Sequence, residues 1–367
     1  MADLQEPQGK AEGKRVRLPL SEPVKVASTL VVNMYLVNVP LSLSTVKERG
    51  MNVEVDIRNE TDDPLEALEM KVKDNTRFFE RSTIWDIPRI EARASVTRKD
   101  YRLRIGAGRA ANISNIPETI EFEYRGESWT VHLELGLFCG HLCTHFQPAS
   151  GQYNIGVVGP PGSGKSMLIN MIHTMLTAPC SRISMIAPIR PTTVDASDGY
   201  AHYEPYPLLR KFGVKATLWE ATPFTTSSIK NEKTKIFFER LSNSEMVSNS
   251  SDESIKLDII IVLLPANYWT REPQPEQTTI EYLRELLEDE DKRPLLCVSE
   301  TTHSEPSLDQ IRREFGRKLR IPKNNVIGKL KLLPHVNKKD KDRNLDVKVY
   351  NILEDCLNGA STRSIAC

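Results

Sequence analysis

The chain has no net charge, no long apolar run and few cysteines, and each shortage excludes a class of function. Lys plus Arg is 49 and Asp plus Glu is 49 over 367 residues, so there is no general basic field to attract nucleic acid, which is not an expected partner. The longest apolar stretch near the start, Leu30 to Val39, is interrupted by Asn33 and Asn38. It falls far short of the ~20 residues that cross a bilayer, and no transmembrane helix is expected. The opening residues MADLQEPQGK lack the apolar centre of a signal peptide, and Ala2 stands where myristoylation needs glycine. Cys367 is the last residue rather than the fourth from the end, so the usual prenylation rule is unmet. The six cysteines, at 139, 143, 180, 297, 356 and 367, are scattered as reduced thiols are, not arranged as a disulfide framework. A cytoplasmic protein is the expectation.

What the chain does have begins, after a polar tail at 1–15, with a period of two. Met51, Val53, Val55 and Ile57 alternate with polar residues, as do Leu68, Met70 and Val72, then Tyr101, Leu103 and Ile105. Ile120, Phe122 and Tyr124 alternate up to a turn at Arg125-Gly126-Glu127, and Trp129, Val131, Leu133 and Leu135 alternate away from it, which predicts a hairpin. With Val31 to Val37 and the stretch around Ile84 and Trp85, this makes about seven short strands. The pattern predicts an all-β, immunoglobulin-like sandwich over 16–137. No catalytic cluster stands out in it, so it is expected to be an interaction module for a protein partner that the sequence does not identify.

Residues 138–152 read as a linker. Cys139, His141, Cys143 and His145 are the right types for zinc. In a strand they would stand about 6 to 7 Å apart along one face and not converge on one ion. Only a sharp turn at Gly140 or a second chain would complete a metal site, and a strand end entering a Pro-Ala-Ser-Gly linker is the preferred reading.

From 153 to about 360 the pattern alternates β and α units, ahead of a short tail at 361–367. This predicts an α/β domain with a mostly parallel sheet covered on both faces. Its organising stretch is Asn154 to Leu176, NIGVVGPPGSGKSMLINMIHTML. Gly159, Gly164, Lys165 and Ser166 occupy the fixed places of G-x-x-x-x-G-K-[ST], with Pro160, Pro161, Gly162 and Ser163 between them. Ile155, Val157 and Val158 precede the loop as a buried strand, and Leu168, Ile169, Ile172, Met175 and Leu176 follow it as a helical stripe. That context makes 159–166 a phosphate cradle, with Lys165 serving the β- and γ-phosphates and Ser166 the Mg²⁺ ion.

A GTPase needs three further elements. Thr192 and Thr193 are candidates for the threonine on Mg²⁺, an ordinary polar loop being the alternative. Glu220, at the end of LWEATPF, is placed to hold the Mg²⁺ hydration shell. The glycine whose N–H would meet the γ-phosphate is replaced by Pro223 or Phe224, and proline has no N–H. Ser299, Glu300 and Thr302 stand where guanine is usually read by an Asn or Thr, a Lys and an Asp.

From about Tyr153 to Leu357 the sequence resembles the interferon-induced 44-like GTPase group, relatives of dynamin-like and immunity-related GTPases. The likeness lies in NIGVVGPPGSGKSMLINMI, LWEATPF, IIIVLLPA and the closing NLDVKVYNILEDCL after PHVN. It implies GTP or GDP with Mg²⁺ at Gly159 to Ser166, Ser166 on the metal, and a role in innate immunity. Pro223, Phe224 and Glu300 depart from the family pattern, and hydrolysis is expected to be slow or absent. An arginine supplied by a nucleotide-dependent dimer partner would compensate. Two other readings stay open: a pseudo-GTPase scaffold without catalysis, and an ATP-binding P-loop protein.

Overall fold

The computed structural model describes residues 17–19, 23–26, 29–37, 43–73, 78–80, 83–106, 112–133, 135–138, 153–177, 187, 202–208, 216–221, 223–224, 238–239, 245–248, 251–270, 274–288, 294–300, 307–321, 326–331 and 347–355. The chain divides into two units, Met1–Leu133 and Glu134–Cys367. Among the described residues no helix is long and apolar enough to cross a membrane.

The first unit contains two antiparallel sheets. One runs in the order β1 (Arg17–Pro19), β3 (Leu30–Val37), β4 (Met51–Asn59), β7 (Ser95–Leu103), with β2 (Val24–Val26) also paired to β3. The other is β6 (Thr83–Ile87), β5 (Leu68–Lys73), β8 (Thr119–Tyr124), β9 (Glu127–His132). Alternation turns Met51, Val53, Val55 and Ile57 of β4 into the core, each fully buried. The two sheets meet where Trp85 of β6 stacks on Tyr101 of β7, ring centroids 4.6 Å apart. The Tyr101 hydroxyl donates to the Asp86 carbonyl at 2.6 Å, so a buried aromatic keeps its polar tip satisfied.

The second unit is built on one sheet of eight strands. Its order is β14 (Ser251–Lys256), β13 (Glu245–Ser248), β11 (His202–Leu208), β12 (Ala216–Ala221), β10 (Tyr153–Val158), β15 (Ile259–Pro265), β16 (Leu295–Glu300), β17 (Val326–Lys331). From β12 to β17 every neighbouring pair is parallel. All seven residues of β15 are buried, as a strand covered on both faces requires. One face carries Val158, Trp219, Ile260 and Val262 against α3 (Gln277–Glu288) and α4 (Leu308–Leu319). A further helix, α2 (Lys165–Thr177), follows β10, and a last helix spans 347–355 with Val349, Ile352 and Leu353 buried.

The amino end of β10 is stitched to its neighbours through one residue. Asn154 donates its backbone N–H to Asp258 Oδ2 at 2.7 Å and its side-chain amide to the Lys256 carbonyl at 3.2 Å. Its Oδ1 accepts the Trp219 indole N–H at 3.0 Å.

Several expectations need correction. The first unit has nine described strands rather than seven. The hairpin exists, but Glu127 belongs to the strand rather than the turn, pairing with Tyr124. β9 stops at His132, and Leu135–Phe138 is a 3₁₀ turn rather than a continuation of the strand. β11 was not expected, because HYEPYPL contains Pro205 and Pro207. Its ladder with β12 survives because the prolines alternate, so both missing N–H groups face the other side. There β13 pairs only at His202 and Tyr203. The serine-rich stretch contains a hairpin, β13–β14, that no periodicity announced. The Cys139, His141, Cys143 and His145 group lies outside the described residues.

The β8–β9 turn depends on two positive φ angles, 49° at Arg125 and 81° at Gly126, the type I′ geometry that matches strand twist. A Cβ on Gly126 would meet nothing within 4 Å, so Gly126→Ala carries backbone strain without a clash. Urea unfolding should show a loss of about 1 kcal/mol.

Candidate functional site

The site forms where β10 ends at the centre of the sheet. The chain leaves β10 between β12 on one side and β15 on the other, the crevice position at which open α/β sheets bind ligands. Residues 159–164 turn the chain into α2, with positive φ at Gly162 (72°) and Gly164 (90°). Positive φ at these two glycines is the local backbone geometry from which anion nests at helix N-termini are built. The Ser163 N–H donates to the Pro160 carbonyl at 3.2 Å, closing the loop, and the Leu168 N–H donates to the Gly164 carbonyl at 2.9 Å, starting the helix. Pro160 is buried, Pro161 half-buried and Gly162 exposed at the rim.

Gly159 is fixed by space. A Cβ there would lie 2.3 Å from the Leu263 carbonyl oxygen and 2.6 Å from Ser163 Oγ. The loop therefore rests directly on the backbone of β15.

Lys165 lies folded under this loop, 5 % exposed, with Nζ donating to the Gly159 carbonyl at 3.2 Å. Desolvation pushes its pKa down from 10.5 to about 8, opposed by the Glu220 carboxylate. A buried ammonium makes the base of the loop electropositive, a setting that favours an anion.

The Ser166 hydroxyl donates to Glu220 Oε1 at 2.6 Å. Parallel pairing of β10 with β12, with Val157 opposite Glu220, brings these two residues together. The bond commits the hydroxyl proton to the carboxylate and leaves the Ser166 oxygen lone pairs for a cation. A hydroxyl and a carboxylate beside a phosphate cradle are the hard oxygen donors that Mg²⁺ prefers.

Asn170, one turn beyond Ser166 and fully buried, was not singled out by sequence. Its amide donates to the Ala187 carbonyl and its Oδ1 accepts the Ala187 N–H, both at 2.8 Å. This ties the strand-to-strand connection to α2. A polar residue inside the apolar stripe Leu168, Ile169, Ile172 was the available signal. Thr192 and Thr193 lie outside the described residues, as does Thr302. Pro223 is half-buried and Phe224 buried, past the end of β12. Ser299 is buried in β16 and Glu300 ends that strand.

The family model of magnesium chelatase, subunit ChlI, matches residues 147–198, a span that contains the loop and α2. The second unit's sheet, parallel from β12 to β17 with the glycine-rich loop directly after β10, fits a P-loop fold. No curated protein sequence matches the chain. Among solved structures it is similar to a dimerization-deficient mutant of Toc33 from Arabidopsis thaliana, at 12 % identity and TM-score 0.37 over 58 % of this chain and 85 % of that one. It is also similar to Era in complex with MgGDPNP and part of 16S ribosomal RNA, at 15 % identity and TM-score 0.33 over 55 % of this chain and 56 % of that one. A variant of SsGBP gives 18 % identity and TM-score 0.29 over 55 % of this chain and 57 % of that one. The chain thus spans little more than half of the Era and SsGBP chains, at 56 % and 57 %.

Gly159→Ala tests the close approach. The backbone of β15 cannot retreat as a flexible side chain can, so overpacking should cost about 1–3 kcal/mol. Calorimetry should show a lower melting temperature together with lost binding of inorganic triphosphate.

Proposed function

We propose that this protein binds a guanine nucleotide with Mg²⁺ at Gly159 to Ser166 and hydrolyses it slowly or not at all. The observation that carries the reading is Lys165, a buried cation bonded to the Gly159 carbonyl, with the Ser166–Glu220 pair beside it. The backbone of 159–164 holds the α- and β-phosphates, and Lys165 neutralises the β- and γ-phosphates. Ser166 gives its oxygen to Mg²⁺, while Glu220 orients that hydroxyl and the ion's water shell. Mg²⁺, when bound, neutralises phosphate charge. Thr193 remains the sequence candidate for a second Mg²⁺ ligand. Guanine selectivity and a place in innate immunity rest on the likeness to interferon-induced 44-like GTPases.

The first unit is proposed to be an immunoglobulin-like interaction module, supported by its two antiparallel sheets. A nucleotide-dependent dimer that donates an arginine in trans would be the route to faster turnover. The scaffold reading, in which the nucleotide stabilises the fold without chemistry, is favoured specifically by Pro223, which has no N–H to offer a γ-phosphate.

Thermal-shift titration with GTP, GDP, ATP and ADP plus Mg²⁺, followed by phosphate release, separates these readings. Guanine-selective stabilisation of about 2.7 kcal/mol at 100 times the dissociation constant is expected. A shift with adenine nucleotides alone gives the ATP-binding reading, and no shift with any nucleotide overturns the proposal. Lys165→Ala should abolish the shift while leaving the first unit folded. Glu220→Ala should weaken the Mg²⁺ dependence of binding, read by titrations with and without the ion.

The pH dependence follows from Lys165. Its folded pKa of about 8 lies below the ordinary 10.5, so between those values the unfolded chain holds more protons. The residue's cost to the ligand-free fold is therefore full below pH 8 and shrinks as pH rises through the window. A bound polyphosphate favours the charged lysine. Nucleotide affinity is expected to fall as pH rises above about 8, with proton uptake on binding measurable by calorimetry in buffers of different ionisation enthalpy.

A further inference from the structure

The chain just beyond Glu220 is anchored in the core at the place where a nucleotide switch has to move. We infer that the site holds nucleoside di- and triphosphates alike and does not change conformation between them. The inference rests on the nucleotide-site reading above and adds its ligand specificity.

β12 ends at Ala221. Phe224, three residues on, is 3 % exposed, with its ring 5.3 Å from that of Phe238, which is 2 % exposed. Phe238 in turn stacks on Tyr282 of α3, centroids 5.6 Å apart and planes at 21°. The three rings run as a ladder from the strand end to a helix on the covered face of the sheet. Phe224 and Phe238 belong to the same apolar cluster as Trp219, Ala221 and Leu283.

In a switching site, a segment is ordered by contact with the γ-phosphate and released when that phosphate leaves. Here Pro223 has no N–H to donate, and Phe224 is held by apolar packing whatever the ligand. A ligand shifts a conformational equilibrium only through its differential affinity for the two states. Once a backbone donor to the γ-phosphate is removed, the discrimination it would supply, about ten- to hundredfold for one charge-assisted hydrogen bond, goes with it. Among the described residues the charge of Lys165 remains, and the β-phosphate it meets is common to both ligands.

The test is calorimetry on the full chain with Mg²⁺ and either GDP or a non-hydrolysable GTP analogue. Hydrogen exchange of the peptide 216–224 is then followed in both complexes. Dissociation constants within about tenfold of each other and equal protection are expected. A larger preference for the triphosphate, or protection that differs between the complexes, overturns the inference and leaves the nucleotide-site reading standing. Binding of neither nucleotide overturns both. The double variant Pro223→Gly, Phe224→Ala restores a donor and frees the segment, so its triphosphate preference should exceed that of the wild type. An unchanged ratio overturns the ladder as the cause, and the wild-type comparison decides the matter if the variant does not fold.

Discussion

The contact on which the second unit's candidate site depends is the seating of Gly159 on the carbonyl of Leu263. With no room for a Cβ, the chain leaving β10 lies flat against β15 before turning into α2. That placement encloses Lys165 beneath the loop and sets the height of Ser166 above the sheet. Parallel registry of β10 with β12 then delivers Glu220 to the serine. The cradle, the buried cation and the oxygen pair are consequences of one close approach between two buried strands.

The parts of this arrangement that were legible in sequence are those whose chemistry is local. The loop is a contiguous motif flanked by a strand and a helix, and the β8–β9 hairpin carries its turn residues beside its alternation. The fully apolar run of β15 marked a central strand without help from its neighbours. The capping box of Ser307 and Gln310 at α4 is equally local. β11 was hidden because two prolines argue against a strand unless its outer edge is known to be largely open. The β13–β14 hairpin was hidden because serine carries no periodic signal. The Ser166–Glu220 bond spans 54 residues, and the Asn170 clamp on Ala187 depends on how the chain returns to the helix. Both need the fold before they can be seen.

The functional asymmetry of the domain lies in which half of the site is well made. The residues proposed to bind phosphate lie between β10 and α2, with Lys165 buried and Ser166 bonded to Glu220. The strand end that would sense the third phosphate carries a proline and a core phenylalanine instead. Affinity and turnover draw on different contacts, since binding uses those made in the ground state and catalysis those gained at the transition state. On the proposed reading, a site built in this way would retain the first set without the second.

The stitch at Asn154 has a mechanical side. A pull applied along β10 from its amino end would meet Asn154, the second residue of that strand. Its bonds to Asp258, Lys256 and Trp219 spread the load over neighbouring strands. In parallel β-structure, pulling along a central strand shears many ladder bonds together rather than peeling them one at a time. The amino end of β10 is thus a reinforced joint, and a pull on it would be borne by the sheet before it reached the loop at 159–164.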